Sequence, residues 1–129
     1  MPIEGRKIYV APGDFHMGVA QEGANRVIRL NQDAPENFCR PAVDPMLRSL
    51  SAMYGNKVFA VILTGMGADG LRGGQKMVEA GGAMIAQDQA TSVVWGMPGA
   101  VAQGGLCHAV LPLDEIGPYT AKVAQRGGG

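Results

Sequence analysis

The stretch that most constrains this chain runs from Val58 to Gly74. A continuous apolar run, Val58 to Leu63, passes through Gly65-Met66-Gly67-Ala68-Asp69-Gly70 into a segment of helical spacing. An unbroken apolar run of strand length suits a strand covered on both faces, and such strands belong to parallel sheets flanked by helices. The pattern then repeats. Asp69 to Glu79 predicts a helix closed by Gly81-Gly82, Ala83 to Ala86 a second buried strand, and Pro98 to Gln103 a short helix. Ala109 to Leu111 predicts a third strand and Asp114 to Gln125 a closing amphipathic helix. Strand and helix in alternation predict a mainly parallel sheet with helices on its faces and right-handed crossovers.

The first half reads differently. Lys7 to Val10 has the composition of a short peripheral strand, ended by the turn residues Ala11-Pro12-Gly13-Asp14. His16 to Gln21 and Arg26 to Leu30 flank Glu22-Gly23-Ala24-Asn25 and predict an antiparallel hairpin. After a polar loop, Pro41 to Tyr54 predicts a helix with Val43, Met46, Leu47, Leu50 and Met53 on one face. Pro41 suits its first position and Gly55 its end. The fold class expected is therefore a doubly wound, Rossmann-like, three-layer α/β/α arrangement plus a hairpin. A fold of that kind opens with a strand, a glycine-rich turn and a helix, and that first βαβ unit has no counterpart here.

The 129 residues predict one domain over residues 1–125, with residues 126–129 as a disordered tail. A formal net charge of +0 gives no global field favouring nucleic acid or an anionic membrane. No apolar run approaches the length of a membrane span, so a cytoplasmic location is expected. Cys39 and Cys107 have no motif spacing and are expected as free thiols. Asp14 with His16 is too sparse for a metal site, and neither a metal nor a cofactor is expected.

Gly65 to Gly70 satisfies the dinucleotide pattern G-x-G-x-x-G, and Asp88 follows near the spacing of a ribose-binding acid. Asp69 opposes that reading. A pyrophosphate would sit over the helix N-terminus, where a carboxylate in the first turn occupies or repels it. Two unit charges about 4 Å apart at an effective dielectric of about 20 repel by roughly 4 kcal/mol. Two readings of Asp69 remain open: a cap on its own helix, or a carboxylate at the C-terminal edge of a parallel strand that orients a histidine.

Five ordered motifs carry a resemblance over residues 6–117. They are Ala11-Pro12-Gly13-Asp14-Phe15-His16-Met17, Arg40-Pro41-Ala42-Val43-Asp44, Ile62 through Gly70, Ala86-Gln87-Asp88, and Val94-Trp95-Gly96-Met97-Pro98. This set resembles the C-terminal catalytic domain of the chemotaxis protein-glutamate methylesterases (CheB). The resemblance implies a serine hydrolase that releases methanol from glutamate methyl esters on chemoreceptor cytoplasmic helices. Many such enzymes also deamidate glutamines, and a receiver domain commonly regulates them. It further implies that Asp69 is the acid of a catalytic triad and that Met66, with the neighbouring N–H of Gly67, lies on the oxyanion side. The family's serine turn, Gly-Ala-Ser-Thr-Gly-Gly, and its Gln-His-Met segment do not occur in this chain. The chain thus resembles the last two-thirds of the catalytic domain and is expected to be inactive alone. The competing expectation is a non-catalytic module that binds receptors or partners.

No other residues replace the absent pair. His16 falls in the family's second histidine segment, which implies pocket lining or hairpin packing. His108 beside Cys107 is expected on the opposite face of a strand. Ser49, Ser51 and Ser92 lack the context of a nucleophile elbow. Arg40 is expected either to bind a carboxylate or to pair with Asp44 at i+4. Trp95 and Met97 are expected to pack in the core. A sheet lacking its first unit would expose an edge, so self-association is expected as well.

Overall fold

The computed structural model describes residues 1–127. The chain forms β1 (His16–Glu22), β2 (Asn25–Asn31), α1 (Val43–Tyr54), a single 3₁₀ turn (Gly55–Lys57) and β3 (Phe59–Ile62). There follow α2 (Leu71–Glu79), β4 (Ala83–Gln87), α3 (Gly96–Gln103), β5 (Ala109–Leu111) and α4 (Leu113–Gly127). β1 and β2 pair antiparallel from His16 opposite Asn31 to Glu22 opposite Asn25. Gly23, with a left-handed φ of 60°, makes their tight turn. β3, β4 and β5 form a separate parallel sheet in that order. The α/β class is as expected, with the hairpin standing apart from the parallel sheet.

The core lies on one face of that sheet. Ala60 and Ile62 of β3 and Met84 and Ala86 of β4 meet Leu47, Met77 and Val101 from the three overlying helices. On the opposite face Phe59 stacks on Tyr119 of α4, with ring centroids 6.3 Å apart. These two coverings make the three layers. β4 is buried on both faces, whereas β3 alternates between buried Ala60 and Ile62 and half-buried Phe59 and Val61. The expectation of full burial holds for the central strand alone. β3 is an edge strand, and an apolar groove of about 400 Å³ runs beside it, lined in part by Met46 and Leu50 of α1 and by Met97.

Three expectations change. Lys7 to Val10 is not a strand, and Ile8 and Val10 face solvent. The outer edge of β2 is taken instead by the N-terminus, where Ile3 N–H donates to Arg26 and Ile28 N–H to Met1. Pro41 does not open α1: it follows a cis peptide bond, and Ala42 is the cap residue. The expected tail also changes in part, because α4 extends to Gly127. Residues 128 and 129 lie outside the described residues.

α1 and α2 pack against each other at Gly73. A Cβ there would meet the backbone of Asp44 at 2.7 Å and the Leu47 side chain at 3.0 Å. Backbone cannot retreat as a flexible side chain can, so Gly73→Ala is expected to cost about 1–3 kcal/mol, the usual range for overpacking. Gly5→Ala, with nothing near its Cβ, should leave the thermal midpoint unchanged. Unfolding of the two variants in parallel checks the contrast.

Candidate active site at the carboxyl edge of the sheet

Neither α1 nor α2 has a capping side chain of its own. Their cap residues are Ala42 and Gly70, the latter at a left-handed φ of 102° that suits glycine. α1 instead receives a carboxylate from the segment leading α2, and α2 receives one from the first turn of α1. Asp69 Oδ2 accepts from Val43 N–H at 2.6 Å and Oδ1 from Asp44 N–H at 3.0 Å. In return Asp44 Oδ1 accepts from Gly70 N–H at 3.0 Å and from Gly73 N–H at 2.7 Å. Asn37 joins the two: its Nδ2 donates to Asp44 Oδ2 at 2.8 Å and to Asp69 Oδ1 at 2.9 Å. Asp44 and Asp69 are 1% and 5% exposed. Buried carboxylates require such donors, because an unpaired charge in the interior is very costly.

This arrangement corrects the reading of Asp69 as a cap on its own helix, since it caps α1. It also relocates the argument against a dinucleotide. The amides at the start of α2 are filled by Asp44, and Asp88 is engaged by the N–H and hydroxyl of Thr91. Asp44 does not pair with Arg40 either. The Arg40 guanidinium binds Asp14, with Nε at 2.9 Å and Nη2 at 2.6 Å, and Nη1 donates to the Gln32 carbonyl. The i+4 pair fails because Asp44 is turned inward to α2, out of reach of a side chain that follows the surface.

His16 is 2% exposed. Its Nε2 donates to the Ala34 carbonyl at 3.0 Å, and its Nδ1 accepts from Ala42 N–H at 3.2 Å. Both ring nitrogens are committed to backbone, so His16 ties the hairpin to the approach of α1.

The loop carrying Met66 and Gly67 is held from one side. Thr64 N–H donates to the buried Gln87 Oε1 at 2.9 Å, Gly65 N–H to Val94 and Met97 N–H to Gly65. Gly96 permits this contact, since a Cβ there would lie 2.8 Å from Gly67 N. Met66 is mostly exposed and Gly67 has φ 84°. Among the described residues the amides of Met66 and Gly67 make no hydrogen bond. Trp95 Nε1 donates to the Gln87 carbonyl, which makes the indole part of this support. Asn37 and Gln87 are the site residues that sequence reasoning missed. Asn37 carried no motif signal, whereas Gln87 lay within the quoted motif Ala86-Gln87-Asp88 but was given no role.

Residues 1–120 match the family described as CheB methylesterase. The chain belongs to that family. It is 64% identical over 124 residues to protein-glutamate methylesterase/protein-glutamine glutaminase 1 of Paramagnetospirillum magneticum, covering 96% of this chain and 32% of that protein. The corresponding protein of Azospirillum brasilense is also 64% identical, over 126 residues, with 97% and 32% covered. The chain thus spans about a third of the length of the curated relatives it matches. The crystal structure of the Thermotoga maritima CheB methylesterase catalytic domain superposes with a TM-score of 0.77 at 44% identity, covering 81% of this chain and 55% of that one. Among the described residues no three His, Cys, Asp or Glu side chains are grouped to hold a metal, and no helix is long and apolar enough to cross a membrane.

One ion pair supports the site from outside. Arg48 grips Glu36 with both terminal nitrogens, at 2.8 and 2.5 Å. That hydrogen bond from Arg48 holds the Glu36 carboxyl below the ordinary glutamate value. A lowered carboxyl pKa adds stability above the unfolded value, and this is lost as pH falls through the folded value. Both side chains are more than a third exposed, so solvent screening limits the pair to less than about 1 kcal/mol. Glu36→Gln should therefore lower stability slightly at neutral pH and not at all at pH below the folded Glu36 pKa. Denaturant titrations at two pH values would show this; a loss independent of pH would contradict it.

Proposed function

We propose that this chain supplies the acid-bearing part of a protein-glutamate methylesterase active site, with Asp69 as the triad acid. The observation that supports it most is the setting of Asp69: a buried carboxylate, fixed by three N–H donors, just past the carboxyl end of β3 in a chain of this family. The substrates proposed are glutamate γ-methyl esters on the cytoplasmic helices of chemoreceptors, with glutamines as second substrates. The proposed site of action is accordingly the cytoplasm. In such a site a serine attacks the ester carbonyl and a histidine takes the serine proton. Asp69 holds the imidazole in the right tautomer and stabilises the imidazolium, which protonates the departing methoxide to methanol; a water deprotonated by the same histidine then cleaves the acyl-serine, freeing the glutamate carboxylate and the serine. The unbonded amides of Met66 and Gly67 are the donors proposed for the oxyanion. His16 and Arg40 frame the site by holding residues 32–42 in place. The serine and histidine are not among these 129 residues, so the proposal requires them from additional polypeptide.

The chain alone is expected to release no methanol from methylated receptors. Joined to the remainder of a relative's catalytic domain it should do so, and Asp69→Asn should lower kcat about 10⁴-fold, the scale of losing a triad acid. Methanol release by the chain alone, or activity indifferent to Asp69→Asn, would refute the assignment.

The unpaired edge of β3 and its apolar groove are proposed to make the chain self-associate, since an open edge offers a row of free backbone groups to a second copy. Light scattering across a concentration series should show mass rising above 13.4 kDa. A strict monomer at high concentration would count against it.

A further inference from the structure

We propose that Asn37 is a positioning residue for Asp69, aided by Asp44, and that the network leaves Asp69 one acceptor site, on Oδ2. This rests on the function proposed above. A carboxylate oxygen accepts two hydrogen bonds comfortably. Asp69 Oδ1 has two, from Asn37 Nδ2 and Asp44 N–H, and Oδ2 has one, from Val43 N–H. The vacant position on Oδ2 is where a histidine N–H would be received.

Asn37 is separable from the architecture. It donates to no backbone group of either helix, only to two side-chain carboxylates, that of Asp69 and that of Asp44 in the first turn of α1. Its own turn is closed by backbone bonds in both directions between Glu36 and Cys39, and is tied down by the Glu36–Arg48 pair. Asn37 and Phe38 both take left-handed φ, 54° and 63°, and asparagine tolerates that region while placing its amide inward. With its two amide hydrogens divided between two acceptor-only groups, it fixes the rotation of the Asp69 carboxylate. Asp44 fixes the other end of the amide. Asp44→Asn would keep an oxygen for Gly70 and Gly73 but set an amide donor against that of Asn37.

The test uses the whole catalytic domain, made as one polypeptide by joining this chain to the remainder of the Paramagnetospirillum magneticum relative. Asn37→Gly accommodates the left-handed backbone and removes the side chain with its amide. It should lower kcat for methyl-ester hydrolysis on the order of tenfold, as loss of an outer partner does, with KM held and the fall in kcat persisting at temperatures well below the variant's thermal midpoint. Asp44→Asn should give a similar fall, and the double variant no more than either alone. Phe38→Gly, in the same turn but without a bond to Asp69, should stay within twofold. If Asn37→Gly remains within twofold while Asp69→Asn is inactive, positioning is overturned and the function stands. If Asp69→Asn remains active, the function itself fails. If Asn37→Gly regains the parent kcat when assayed well below its thermal midpoint, Asn37 is structural and positioning is overturned. A second measurement needs only the present chain. Both Asn37 side-chain N–H resonances should be displaced and protected from exchange, one responding to Asp69→Asn and the other to Asp44→Asn. Resonances at free-asparagine positions would overturn the proposal.

Discussion

A helix N-terminus presents N–H groups without internal partners, and in most helices the residue just ahead supplies a side-chain oxygen. In this chain Ala42 and Gly70 cannot. The exchange of carboxylates between Asp44 and Asp69 meets the need of both helices at once, and the rest of the structure is arranged around it. α1 and α2 must lie close enough for the exchange, which Gly73 allows by having no side chain. The exchange also anchors the far end of the β3–α2 loop at Asp69 and Gly70, while Gln87, Val94 and Met97 hold its near end. Each cap of this kind is worth about 1 kcal/mol, and their interdependence gives them reach beyond that figure.

The apolar periodicities were the most legible part. The strands of the parallel sheet, the hairpin and all four helices follow from runs and spacings, because burial of an apolar face needs no knowledge of distant residues. Lys7 to Val10 shows the limit of that logic. Composition suits a strand, but strand formation depends on a free neighbouring edge, and Met1 to Ile3 already occupies the one on β2. Pro41 shows another. A helix start was read from proline's fixed φ, whereas the helix begins where a carboxylate 26 residues away meets Val43 N–H.

At the site, the sequence singled out Asp69 from its place at a strand end among glycines. What it concealed was the bonding partner of every polar residue nearby. Arg40 was read either as binding a carboxylate or as pairing with Asp44 by helical spacing, and the guanidinium turns to the carboxylate of Asp14. His16 carried a suggestive local motif, but its nitrogens are spent on the backbone of two separate segments. Such pairings depend on tertiary placement, and a local spacing rule cannot see them. Asn37 is the sharpest case, since its value lies wholly in standing between two acids that are 25 residues apart in the chain.

The mutual capping also has a consequence for inheritance. Asp44 and Asp69 lie on opposite sides of a crossover made anywhere within α1, β3 or their connection, so recombination between relatives there would bring together caps from different parents. An exchange altering one acid would leave one helix start bare and the other acid's amide partner misdirected, and a single later substitution would not mend both. Residues 37 to 73 therefore form one structural unit, in which the start of each helix depends on a side chain from the other segment.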